Sequence, residues 1–160
     1  MTLDAKLAQR LQFLARVVSK ECRHLETTDR RLFEQPFTLE RAALLETDAE
    51  LAERVEAFVG RFGRLQDTLG DKLLPLLLTA LGERVGAVMD NLDRAERLGL
   101  LVSAEEWLAM RNLRNQMVHE YVEDLAVLSG ALAAGHSLVQ TLIDTANRML
   151  GEIARRGWAS

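Results

Sequence analysis

The sequence predicts an all-α protein, a single domain built as an up-and-down bundle of five or six helices, and three observations predict it. The 160 residues are 48% hydrophobic and 28% charged, rich in Leu, Ala, Glu and Arg, with only two prolines; this is a helix-forming composition. Apolar residues recur at intervals of three and four along most of the chain, the period of a helix with one buried face. The length suits one core that needs neither disulfide nor structural metal. The domain is expected to span residues 1–154, with 155–160 a frayed tail.

Each element has its own signal. Leu3, Leu7, Leu11, Leu14, Val18 and Leu25 mark the first helix. From Thr27 to Thr47 the period breaks around Pro36, which predicts a helix tail, a loop at Gln35 to Phe37 and a short helix. Asp48 is placed as an N-cap for a long second helix carrying Leu51, Val55, Phe58, Phe62, Leu65, Leu69 and Leu76. Gly70 and Pro75 should bend or interrupt it. After Gly82 and Gly86, the residues Val85, Val88, Met89, Leu92 and Ala95 predict a shorter helix stopped near Gly99. Ser103 and Glu106 fit a capping box that starts the next helix near Ala104. Its apolar face takes Trp107, Met110, Met117 and Val118, and its end falls between His119 and Tyr121. The last helix runs on the seam Leu125, Leu128, Leu132, Gly135, Val139, Leu142, Ala146, Met149 and Ile153, where Gly135 would let a neighbour approach closely.

Composition also narrows the setting. One cysteine, Cys22, forms no internal disulfide, and no stretch has the build of a signal peptide, so the cytoplasm is the expected compartment. The window Leu73 to Leu78 is too short for a membrane span, and no membrane is expected. A net charge of −4 argues against tight, indiscriminate binding of nucleic acid, although Arg111 with Arg114 and Arg94 with Arg97 form local pairs one helical turn apart.

The chemistry is concentrated in one run, Arg114-Asn115-Gln116-Met117-Val118-His119-Glu120-Tyr121. A histidine gives and takes protons near neutrality, and an arginine holds two phosphate oxygens at once. Asn115, four residues before His119, shares its face and is placed to orient the imidazole or a substrate. Arg111, Asn115 and His119 line that face together, which makes Arg111 a second candidate phosphate contact. On a regular helix, five residues turn the chain by about 500° and raise it about 7.5 Å, so Arg114 and His119 point about 140° apart. Either the helix unwinds near His119 or a two-fold dimer sets one motif opposite another.

That run resembles the Arg-Asn-x-x-x-His-x-Tyr signature of HEPN domains, in particular the HepT group of toxin subunits encoded beside minimal nucleotidyltransferases. The resemblance covers Arg114 to Tyr121. It implies a HEPN-like bundle, a homodimer whose two motifs line one cleft, and metal-independent cleavage of RNA. Arg114 and His119 would be catalytic and Asn115 supporting, with no cofactor. It further implies a partner nucleotidyltransferase that transfers AMP to Tyr121, the only tyrosine. Anionic phosphates beside Arg114 and His119 would then occupy the site and repel RNA.

Other readings stay open. The chain could be a non-catalytic subunit that binds nucleotide or substrate for a separate nucleotidyltransferase, or an adaptor bundle in which the motif is a solvated arginine, a histidine at a helix C-terminus and a tyrosine at the bundle edge. It lacks the Gly-Ser and Asp-x-Asp pattern of a nucleotidyltransferase and the Gly-rich loop of a P-loop protein. His24 and His136 have no ligand partners at metal spacing, and Asp67 with Asp71, like Asp90 with Asp93, reads as a solvated pair rather than a Mg²⁺ site. Trp107 reads as core and Trp158 as tail. Gln66 and Asp67 are placed to buttress the motif helix from behind.

Overall fold

The computed structural model describes residues 3–119 and 123–158, and those residues are helical with no strand. Helix α1 is Ala5–Leu32, α2 Leu39–Ala43, α3 Ala49–Asp67, α4 Leu74–Ala80, α5 Val88–Arg97, α6 Ala104–His119 and α7 Leu125–Arg155. A π-helical turn, Thr68–Leu73, joins α3 to α4, so the two form one interrupted rod.

Residue pairings give the directions. Arg61 on α3 reaches the His24 carbonyl on α1, while Asp71 and Pro75 lie across from Lys6 and Arg10. Trp107 lies over Gly70 and Arg114 over Gly63. Met117 packs on Gly135, and Arg148 reaches the Gly99 carbonyl just before α6. Helices α1, α3–α4, α6 and α7 therefore alternate in direction, an up-and-down arrangement. The α7 seam from Leu128 to Ile153 is buried throughout, with Leu125 only partly covered. That helix is also long and apolar enough to cross a membrane by length and composition, with a mean hydropathy of 1.4 over its most apolar 18 residues. The shorter window Leu73 to Leu78 was therefore not the chain's best candidate for a span.

Pro75 causes the interruption. Pro75 has no amide proton, and its ring would collide with the carbonyl four residues back. The chain widens by one residue instead, and the Leu74 N–H bonds the Leu69 carbonyl. The widening advances the buried face, so Leu73, Leu74, Leu77 and Leu78 enter the core while Leu76, expected there, is only partly covered.

Two other apolar faces differ from expectation. Val85 lies outside α5, and Val85, Val88 and Met89 are exposed; α5 instead buries Asn91, Leu92 and Ala95. The Asn91 amide replaces an apolar contact with two bonds to the Gly86 backbone, 2.8 Å to its N–H and 3.2 Å to its carbonyl. Val118 also faces outward. Past Arg155 the described chain forms a capped turn as far as Trp158. Gly157 has φ 73°, the Trp158 N–H bonds the Ile153 carbonyl and the Gly157 N–H bonds the Ala154 carbonyl, a Schellman stop. Gln12 then donates to the Trp158 carbonyl at 2.9 Å.

Candidate functional site

The motif helix starts as expected and for a partly different reason. Ser103 Oγ accepts from the Glu106 N–H at 3.1 Å. The carboxylate that serves this helix start is Glu96 of α5, which accepts from the Ala104 N–H at 2.7 Å. The helix is regular through His119, so Arg114 and His119 keep their separation of about 140° up to that residue. Tyr121 lies outside the described residues.

Three glycines let α6 approach its neighbours. A Cβ on Gly70 would lie 3.2 Å from the Trp107 ring, and one on Gly135 would lie 3.2 Å from Met117 Sδ and 3.3 Å from the Phe58 ring. Both contacts are tighter than a methyl group tolerates without movement. The third, Gly63, lies under the motif arginine: its Cβ would fall 2.7 Å from Arg114 Nε and 3.2 Å from Cζ. Arg114 therefore lies flat against the α3 backbone in a channel that a side chain at position 63 would fill.

The guanidinium is aimed from that channel. Arg114 Nη1 donates to Asp67 Oδ1 at 2.6 Å. One turn earlier, Arg111 Nη2 lies 3.8 Å from Asp71 Oδ2, an ion pair at longer range. Gln66 is buried and donates from Nε2 to the Trp107 carbonyl at 3.2 Å. These contacts carry out the buttressing that the positions of Gln66 and Asp67 suggested. They also account for Asp67 and Asp71: each carboxylate faces an arginine of α6. Among the described residues no three His, Cys, Asp or Glu side chains are grouped as a metal site would need.

Asp67 closes α3 and Asp71 sits inside the π turn, so the local widening caused by Pro75 sits directly opposite the motif helix. Such turns recur at functional sites because they re-aim side chains within an otherwise regular rod. Behind it, on α1, burial pushes the Glu21 carboxyl above its ordinary range, opposed by a Thr68 hydrogen bond and the charges of Arg64 and Lys72. One Glu21 oxygen is buried without a partner among the described residues.

A cation held this way remains usable. Guanidinium has five N–H donors, and Asp67 engages one of them. The Arg114 side chain is 27% exposed, so part of the fork faces solvent. Asn115 and His119 are exposed, and Arg111 is half-covered. A single chain thus brings Arg111 and Arg114 to one side with their carboxylates and leaves His119 at the helix end. His136, by contrast, is taken up structurally: it bonds Asp29 at 2.7 Å and stacks on Phe33 at 4.2 Å between ring centres. Gly63 is the residue that sequence reasoning missed. Its signal was a glycine in the middle of a strongly periodic helix, where the cost in helix stability calls for a packing reason.

Compared with known proteins, the chain matches no family model, no curated protein and no solved structure.

Proposed function

We propose that the chain is a HEPN-type, metal-independent endoribonuclease that acts as the toxin of a toxin–antitoxin pair. The observation that carries the reading is the motif arginine, fixed by Asp67 over the Gly63 channel with one of its five donors engaged among the described residues. An arginine whose geometry is set before the substrate arrives stabilises developing phosphate charge without reorganising. In the proposed reaction His119 acts as base on the ribose 2′-hydroxyl, whose oxygen attacks phosphorus. The 5′-oxygen leaves and takes a proton from water, giving a cyclic phosphate end and a 5′-hydroxyl end. Arg114 holds the pentacoordinate phosphate and Asn115 supports the imidazole. Asp67 is a positioning residue.

Because α6 is regular through His119, the reading requires a second copy. A two-fold pair sets Arg114 of one subunit toward His119 of the other, and the cleft is composite. The same reading proposes a cytoplasmic homodimer neutralised by a minimal nucleotidyltransferase, with AMP transferred to Tyr121. The test is cleavage of RNA by mass-verified, unmodified protein in excess EDTA, beside His119→Ala and Arg114→Ala. Cleavage by the parent alone is expected; equal cleavage by all three overturns the proposal.

The regular helix also favours a second reading. In a lone subunit Arg111 and Arg114 form a phosphate-holding pair without a histidine aimed at it. The chain would then be a nucleotide-binding subunit of a nucleotidyltransferase, which binds nucleotide and never cuts RNA.

A further inference from the structure

The net charge of −4 conceals a cationic face. An open groove of about 880 Å³ runs between the first half of α1 and the π turn with α4. Lys6, Arg10 and Lys72 line it. A second depression of about 590 Å³ continues along the outer side of α1, lined by Arg16, Lys20 and Arg23. All six cations are exposed, and among the described residues none is in an ion pair. Among the described residues Asp71 is the one carboxylate lining the two depressions, and it already faces Arg111. Glu21, the acid on this part of α1, turns toward Thr68 and Arg64, and of the six cations the charge of Lys72 also acts on it.

Phe13 lines both depressions and is 57% exposed. A phenylalanine ring left in water in the middle of six unpaired cations is the pairing that single-stranded nucleic acid uses, with phosphates on the cations and an unstacked base on the ring. A duplex offers no free base face to the ring. A membrane would need a broad apolar surface, and this face has Phe13 with only partly covered aliphatic neighbours such as Val17. Lys6 to Arg23 covers about 25 Å of helix, enough for several successive phosphates. At its π-turn end the groove shares Asp71 with Arg111 of the motif helix, so a strand lying in it reaches α6.

We infer that the α1–α4 groove and the outer face of α1 bind the backbone of single-stranded RNA, with Phe13 stacking on a base. This extends the nuclease reading by giving its substrate a path, and it is tested through binding alone. The probe is a short fluorescein-labelled oligouridylate, titrated in EDTA against the His119→Ala chain so that no cutting intervenes. With about six phosphate contacts, log affinity should fall with log salt at a slope of about −4. Arg10→Glu with Lys72→Glu should weaken binding at least about tenfold and flatten that slope, and Phe13→Ala several-fold without changing it. Arg30→Glu with Arg31→Glu, at the far end of the same helix, should change affinity less than about twofold. The two charge-reversed pairs differ in place and not in net charge.

Unchanged affinity in Arg10→Glu with Lys72→Glu overturns the groove, as does equal weakening by the Arg30 and Arg31 pair. Preference for anionic phosphatidylserine vesicles over the oligonucleotide overturns it in favour of a membrane surface. The two readings fail separately: parent protein that binds through the groove and never cuts sinks the nuclease alone, and protein that cuts without groove-dependent binding sinks the groove alone.

Discussion

Gly63→Ala is the most informative single change, because the structure assigns that position to Arg114 rather than to packing between helices. The new Cβ would lie 2.7 Å from Arg114 Nε, whereas ordinary contact begins at 3.4 Å. Arg114 must therefore move by the difference, about 0.7 Å. Directed along the ion pair, that shift opens the 2.6 Å bond to Asp67 to about 3.3 Å, beyond a good N–H···O distance. The lost pair is partly exposed and is worth at most about 1 kcal/mol. Alanine returns about 0.5–1 kcal/mol through its helix preference. The two nearly cancel, and Tm should change by no more than about 2–4 °C. Under the proposed function cleavage depends on position rather than on stability, and a misplacement of this size should lower it about 10–100-fold. Gly60→Ala is the internal control: same helix, nothing within 4 Å of the new methyl, and unchanged cleavage expected. The assay is RNA cleavage with thermal melting on the same preparations. Parent-level cleavage by Gly63→Ala would refute the reasoning, as would a melting loss of about 10 °C, which would make Gly63 a packing device.

Other perturbations reach other parts of the account. Gly135→Ala forces Met117 and the fully buried Phe58 ring apart and should lower Tm by about 2–8 °C, a cost of about 1–2 kcal/mol, read by thermal melting. Glu21 has its carboxyl raised by burial, so the folded state holds its proton more tightly than the unfolded state. That stability is full below the ordinary carboxyl range and is lost as pH rises through the folded value. Glu21→Gln should thus be more stable than the parent at neutral pH, with the advantage gone in acid, as denaturant melts across pH would show. Burial pushes the Cys22 thiol up to about 11, so alkylation at pH 8 should be slow in the native protein and fast in denaturant. Fast native alkylation would mean that α1 does not pack as described.

The helices were legible where one periodicity dominated. The α7 seam, the Asp48 cap with its 3.0 Å bond to the Leu51 N–H, and the Gly99 stop with φ 76° all follow from signals local in sequence. The α5 face was misread because Val85, Val88 and Met89 imitate a buried stripe. What decides that face is the Asn91 amide, whose partners lie in the preceding loop. Pro75 signalled an interruption but not its form, since a kink and a π turn both relieve the missing N–H. At the site, the sequence singled out Arg114, Asn115 and His119 as candidates by residue type and spacing, and Asp67 was legible as a buttress by position. That Asp67 pairs with Arg114, and that Gly63 makes room for it, depends on the register of two helices 47 residues apart in the chain. No local signal encodes that register. The cationic face of α1 escaped for the opposite reason: net charge sums over the whole surface, while binding depends on where the charges lie.

The central claim is that Arg114 and His119 act together across two subunits, and subunit mixing tests it most directly. Arg114→Ala and His119→Ala chains are purified separately, then exchanged by unfolding and refolding together, and assayed for RNA cleavage in EDTA. Random pairing makes about half of the dimers mixed, each with one intact arginine–histidine pair of two, so about a quarter of parent activity should return. Cleavage that returns only on mixing is the predicted result. A mixed preparation that exchanges subunits and stays as inactive as its components would contradict the composite cleft.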